Sequence, residues 1–175
     1  MKAISLKAIA TEFPKPIREN EFFGTEESRT EGAMFRGTKR RHHLPPEQTA
    51  ADLICAAARK VEAEAGIDLT KDVDIILTNV SLPDLPFTGC GAEVAKGLGA
   101  KPMWVFDLHN HGCVSFISMM SLAQSLMTTS GAKRALICNV QTAAGRIFSN
   151  EEIRQMPQAA IPGDGCAVAL IEEGD

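Results

Sequence analysis

The sequence predicts an α/β domain built in layers around a five-stranded, mixed but largely parallel sheet. Three observations carry that prediction. Short apolar runs rich in β-branched residues recur at Val73 to Val80, Ala135 to Val140 and Cys166 to Ile171. Helical stretches separate most of the strands, the alternation that parallel pairing requires. No charged side chain occurs between Asp107 and Lys133, so the helix in that stretch lacks a polar stripe and is expected to be a buried central helix.

Taken in order, Ile4 to Thr11 alternates as a first strand and is stopped by Pro14 and Pro16. A charged segment follows from Arg18 to Arg41, with a possible short helix at RENEFF. Pro45, Pro46 and Glu47 are expected to open a helix that runs to about Ala65, where Gly66 supplies the stop. Val73 to Val80 is a buried strand, bounded by Asp and Pro. The loop from Ser81 to Gly91 leads into a short helix over Ala92 to Leu98. Met103 to His109 reads as a strand, followed by a tight turn through Asn110, His111 and Gly112 and a helix opening at Cys113. Ala135 to Val140 is the next strand. Residues 141–160 are a polar loop with one helical turn near Glu151, and Gly163-Asp164-Gly165 turns the chain into the last strand. Asp164 is read as a turn residue capping backbone N–H groups.

Composition narrows the function classes. A net charge of −4 argues against nucleic-acid binding by the molecule as a whole. The N-terminus lacks the apolar run and small-residue cleavage site of a signal peptide. The uncharged stretch is too rich in Ser, Thr, Gln, His and Gly to be a membrane span. The five cysteines are irregularly spaced with no C-x-x-C pair, so neither a zinc site nor a disulfide framework is expected, and a cytoplasmic protein with reduced thiols fits best.

Cys113 stands apart from the other four. Unpaired N–H groups and the dipole at a helix start favour a thiolate, the nucleophilic form, and are placed to bind an oxyanion on a thioester carbonyl. The local sequence leaves a second reading open, one more small buried hydrophobe. Cys90, near the start of the short helix, is a second candidate thiol without the strand-turn-helix frame. Cys55 and Cys138 read as core, and His109 as a packed polar side chain. The cluster Arg36, Lys39, Arg40, Arg41, His42, His43 is either a solvated loop or an anion site. Phe87, between prolines, is an apolar side chain with no local core of its own. An apolar helix on one face of a sheet also needs cover on its far side, and nothing else in the chain looks able to supply it.

Three segments together resemble a known family. Val105 to Phe116 (VFDLHNHGCVSF), Ser130 to Gln141 (SGAKRALICNVQ) and Pro162 to Glu173 (PGDGCAVALIEE) are similar, in order and spacing, to the N-terminal half of the thiolase-fold condensing enzymes. The nearest group is β-ketoacyl-acyl-carrier-protein synthase III. GTKRRHHL (37–44) and LPFTGCGAEVAKGLG (85–99) fit more weakly.

The resemblance implies that residues 1–175 form a thiolase-like half-domain. It implies a catalytic Cys113, acylated by a coenzyme A or carrier-protein thioester, with no metal and no cofactor beyond the thioester itself. It implies that Phe87 reaches across a homo- or heterodimer interface to the partner's acyl pocket. Arg36 and Arg40 would lie near the mouth for the pantetheine arm, and His111 beside the substrate. The bulky neighbours Asn110, His111, Val114 and Ser115, where the family has small residues, would reshape the pocket or change the second nucleophile accepted. The catalytic His, with an Asn or second His, lies in the family's C-terminal half. That half would have to come from a second subunit or a longer chain, and without it the acyltransferase is expected to be inactive. The competing expectation is a non-catalytic pairing half of a ketosynthase-like complex, with no membrane and no nucleic acid involved.

Overall fold

The structure is a computed structural model that describes residues 3–24, 38–85 and 87–174. Its strands are β1 (Ile4–Glu12), β2 (Ile17–Glu19), β3 (Arg40–His42), β4 (Ile75–Val80), β5 (Trp104–Asp107), β6 (Arg134–Gln141) and β7 (Gly165–Glu173). Its helices are α1 (Ala50–Ala65), α2 (Gly91–Leu98), α3 (Ser115–Ser130) and the single turn α4 (Ala143–Arg146). Five strands form one sheet in the order β1-β7-β6-β4-β5. Pairings β4 with β5 and β4 with β6 are parallel, whereas β7 is antiparallel to both β6 and β1. Four strands therefore run one way and β7 alone runs back. β2 and β3 make a separate small ribbon.

Alternation along the strands splits the core in two. Ile76, Leu136, Val168 and Leu170 face α1 and α2, where they meet Leu53, Ile54, Ala57, Val61 and Val94. Ile75, Leu77, Ile137 and Ile171 face the other way and meet Met119, Ala123 and Met127 of α3. Their four-residue spacing, close to one helical turn, puts those three α3 residues on one side of the helix. Gly97 marks how closely α1 and α2 approach: a Cβ there would lie 2.8 Å from Cys55 Sγ.

The helix over residues 50–65 starts later than Pro45 suggests. Thr49 Oγ1 accepts from the Asp52 N–H at 3.1 Å, and Asp52 Oδ2 accepts from the Thr49 N–H at 2.8 Å. This capping box fixes the first turn at Ala50 and leaves Pro45 to Glu47 in the preceding turn. RENEFF is not a single helix: it divides between β2 and a 3-10 turn over Asn20–Phe23. Residues near Glu151 form turns only, and helical turns occur instead at α4 and at a 3-10 turn over Pro157–Ala160.

The outer side of α3 lies open among the described residues. Ile117 is 62% exposed, and Val114 just before the helix is 61% exposed. Leu6 and Ile9 of β1 pair with Ile171 and Ala169, so they share the α3 face, and both are half exposed. At the other edge Trp104 and Phe106 of β5 stack at 5.8 Å and are partly exposed. The expected buried central helix is thus corrected: only Ser115, Met119, Ala123 and Met127 of α3 are buried, and its outer side carries Ile117 among Ser121, Ser125, Thr128 and Thr129, uncharged but mostly polar.

Candidate active site

Cys113 sits just past the C-terminal end of β5. It does not open an α-helix directly: a 3-10 turn over Gly112–Val114 carries it, and α3 follows from Ser115. The turn is made possible by two left-handed residues, Asn110 at φ 60° and Gly112 at φ 50°. Asn tolerates that conformation better than most side chains, and Gly has no Cβ to oppose it. Ser115, 5% exposed, donates from Oγ to Asn139 Oδ1 at 2.7 Å, which fixes the start of α3 to β6. Asn79 Nδ2 donates to the Leu108 carbonyl at 2.7 Å and so holds the exit of β5. The turn that presents the cysteine is thus anchored by two strand asparagines.

Of the five cysteines, only Cys113 is exposed. Burial pushes the Cys90 thiol up to about 12, against the pull of a hydrogen bond with Thr78. Burial likewise pushes Cys166 up to about 12, and its Sγ lies 3.2 Å from the Leu53 carbonyl. Cys138 is raised well above the usual thiol range by complete burial, and half-buried Cys55 is raised too, again chiefly by burial. Thiolates are thus disfavoured at those four positions. Titration of the native protein with an aromatic disulfide reagent should show one fast thiol, lost in Cys113→Ala, and five after denaturation. Two fast thiols in the native protein would contradict this assignment.

A cavity of about 1000 Å³ opens beside Cys113. It lies at the C-terminal ends of the parallel strands, the usual position for ligands in such sheets. Its wall includes Asn79, Asn139, Gln141 and Ser115 on the α3 side, and Arg40 and Gly163 on the other. Arg40 therefore lies on the cavity, whereas Arg36 falls outside the described residues. His111 is exposed and does not line the cavity, and His109 is exposed rather than packed. Phe87 is fully exposed at φ 66°, on a loop distinct from the cavity wall. That loop is held at Asp84, which accepts from the Ala50 N–H at 2.8 Å and pairs with Arg146 at 2.7 Å.

The basic cluster does not act as a unit, because β3 alternates its sides. Arg40 faces out, but Arg41 is 5% exposed. The Arg41 guanidinium donates to Asn20 Oδ1 at 2.9 Å and to the Ala160 carbonyl at 2.6 Å, and it lies over the Phe23 ring at 4.6 Å. His42 stacks on Phe13 with its Nδ1 2.5 Å from the Pro14 carbonyl. His43 is 2% exposed among Phe22 and Phe23, with Nδ1 3.2 Å from Ser149 Oγ.

Burial, with Arg18 and Arg41 nearby, lowers the His43 pKa from 6.5 to about 4. Between those values the unfolded chain binds the proton and the folded one does not. The stability contribution is therefore full above pH 6.5 and is lost as pH falls towards 4. The loss should be about 3 kcal/mol. Denaturant unfolding of the wild type and His43→Asn at pH 7.5 and 4.5 should show the smaller pH loss in the variant.

Asp164 behaves as its turn position suggests. It is 2% exposed. One oxygen accepts from the Leu44 N–H at 2.7 Å and the Gly145 N–H at 2.6 Å; the other accepts from Ala144 at 2.9 Å. Burial raises its pKa despite those three donors. Gly145 must be glycine for the approach to close: a Cβ would lie 2.1 Å from the Leu44 carbonyl oxygen.

The strand order, the helix layers and the cysteine turn define a thiolase-like half-fold, and the comparisons agree. The family model described as 3-Oxoacyl-[acyl-carrier-protein (ACP)] synthase III matches residues 106–175. Beta-ketoacyl-[acyl-carrier-protein] synthase III of Clostridium perfringens is 33% identical over 135 residues, 74% of this chain and 40% of the relative. The Campylobacter fetus protein of the same name is 28% identical over 181 residues, 100% of this chain and 52% of the relative. The crystal structure of 3-oxoacyl-(acyl carrier protein) synthase III from Pseudomonas aeruginosa superposes with TM-score 0.78 at 23% identity, covering 99% of this chain and 53% of that one. The chain is thus similar in sequence and fold to synthase III proteins, and it spans about half the length of the relatives it matches.

Proposed function

We propose that this chain is the N-terminal half of a condensing enzyme of the synthase III kind, with Cys113 as its acyl-accepting nucleophile. The observation that supports it most is a single exposed thiol, on a turn fixed by Asn110 and Gly112, opening onto a cavity of about 1000 Å³. The cysteine sulfur attacks the carbonyl of an acyl-coenzyme A or acyl-carrier-protein thioester. A new S–C bond forms and the old one breaks. The departing thiol carries away the proton that Cys113 gives up, and the acyl group waits on the enzyme for a second nucleophile. The Cys113 N–H supplies one oxyanion donor.

The remaining oxyanion donor and the catalytic His and Asn come from a second half, either further along the same polypeptide or on a partner. That half covers α3, whose outer face offers Ile117 and Val114. Arg40, on the cavity wall, meets the anionic arm of the donor, with Arg36 nearby in sequence. Phe87 reaches a partner's acyl pocket in a dimer, and the protein works in the cytoplasm in fatty acid or polyketide synthesis. The competing reading, a non-catalytic pairing half, draws on the absence of a hydrogen-bonded base beside Cys113 among the described residues.

Intact-mass analysis decides between them. The full protein, with any co-purifying subunit, is incubated with acetyl-coenzyme A and mapped by peptide digestion. One acetyl group on the peptide holding Cys113 is the expected result. An unmodified Cys113 rejects acyl transfer and favours the pairing half.

A further inference from the structure

We infer that the acyl chamber beside Cys113 is built for a hydroxylated acyl group rather than a plain hydrocarbon chain. The inference rests on the acyl-transfer reading above and narrows its substrate class. Asn79 and Asn139 lie directly side by side, in register on the parallel strands β4 and β6. Both lie near the C-terminal ends of strands with apolar middles, both are half buried, and both line the cavity that holds Cys113. A half-buried amide in such a place carries a desolvation cost unless its polar ends are bonded.

Each amide uses one end for the fold. Asn139 Oδ1 takes the Ser115 hydroxyl, and Asn79 Nδ2 gives to the Leu108 carbonyl. The other ends, Asn139 Nδ2 and Asn79 Oδ1, find no partner among the described residues. The cavity wall therefore offers one donor and one acceptor, a strand spacing apart. Gln141, on the same side of β6, adds a further amide.

A saturated chain would strip water from both ends and return no hydrogen bond. A hydroxyl on an early carbon of the acyl group can donate to Asn79 Oδ1 and accept from Asn139 Nδ2 at once. Sites that bond a substrate hydroxyl reject the analogue lacking it far more strongly than apolar pockets reject an extra methylene. The acylation step itself is unchanged: the thioester carbon passes from the donor sulfur to Cys113 Sγ, and the donor leaves as its thiol.

The test compares 3-hydroxybutyryl-coenzyme A with butyryl-coenzyme A as acyl donors to the full protein, following the rate of mass gain at Cys113. The wild type should label at least about tenfold faster with the hydroxylated donor. Asn79→Ala and Asn139→Ala should each lose most of that preference. Both asparagines also anchor the cysteine turn, so the ratio is read in a variant whose unfolding midpoint matches the wild type, which separates a lost hydroxyl contact from a loosened turn. Should Asn139→Ala fail to fold for want of the Ser115 bond, Asn79→Ala decides. Equal labelling of the wild type by both donors, or a preference intact in the variants, overturns the hydroxyl site while acyl transfer stands. Labelling by neither donor overturns acyl transfer and this inference together.

Discussion

Asp164→Ala should lower the free energy of unfolding by about 3–5 kcal/mol, the largest stability loss expected from a single side chain here. The carboxylate ties two distant backbone segments to its own turn. It takes the N–H of Leu44 before α1 and those of Ala144 and Gly145 in α4, while its own N–H donates to the His42 carbonyl at 2.8 Å. Removing it strands three donors at a site where the side chain they bond is only 2% exposed. Asp164→Asn should be milder, because its remaining carbonyl oxygen can still receive Leu44 and Gly145, which share one oxygen in the native turn. Chemical denaturation of the three proteins should rank them wild type, Asn, Ala. Equal stability of Ala and wild type would mean that water or another group satisfies those donors.

Cys113→Ala should abolish acyl transfer, by roughly 10³-fold or more, and leave stability within about 0.5 kcal/mol. The contrast follows from placement. Cys113 is exposed on a turn whose shape depends on Asn110, Gly112 and Ser115, not on its own sulfur. Cys138→Ala should do the reverse, lowering stability by about 1–2 kcal/mol through a cavity in the core, with acyl transfer retained. Turnover and denaturant midpoints for both variants give a double dissociation. A Cys113→Ala protein that still turns over would reassign the nucleophile.

The five strands of the large sheet, the presence of α3 and the role of Asp164 were legible in the sequence, because each depends on local pattern: β-branched runs, an uncharged stretch, a Gly-Asp-Gly turn. The short ribbon of β2 and β3, and the 3-10 turn that delays α3 to Ser115, were not. The start of α1 was not, since Pro45-Pro46-Glu47 is a plausible opening by itself. The stronger signal was Thr49 with Asp52 three residues on. The basic cluster was misleading for a different reason. Charge says nothing about side, and in β3 the period of two sends Arg40 outward and Arg41 inward to Phe23. The asparagines at 79 and 139 left a faint trace, a polar residue near the end of each buried strand. Only the register showed that they are neighbours. His111 could not be placed from spacing, because two left-handed residues decide which way its turn opens.

The reversal of β7 sets where any following segment would start relative to Cys113. Gly165 lies next to Gln141 at the cavity rim, but Glu173 ends beside Ile4 at the opposite margin of the sheet. Anything covalently joined beyond that strand would set out roughly 30 Å from Cys113. A segment following β7 would have to double back across the length of the sheet to meet the Cys113 thiol, whereas a separate protein could approach it head-on.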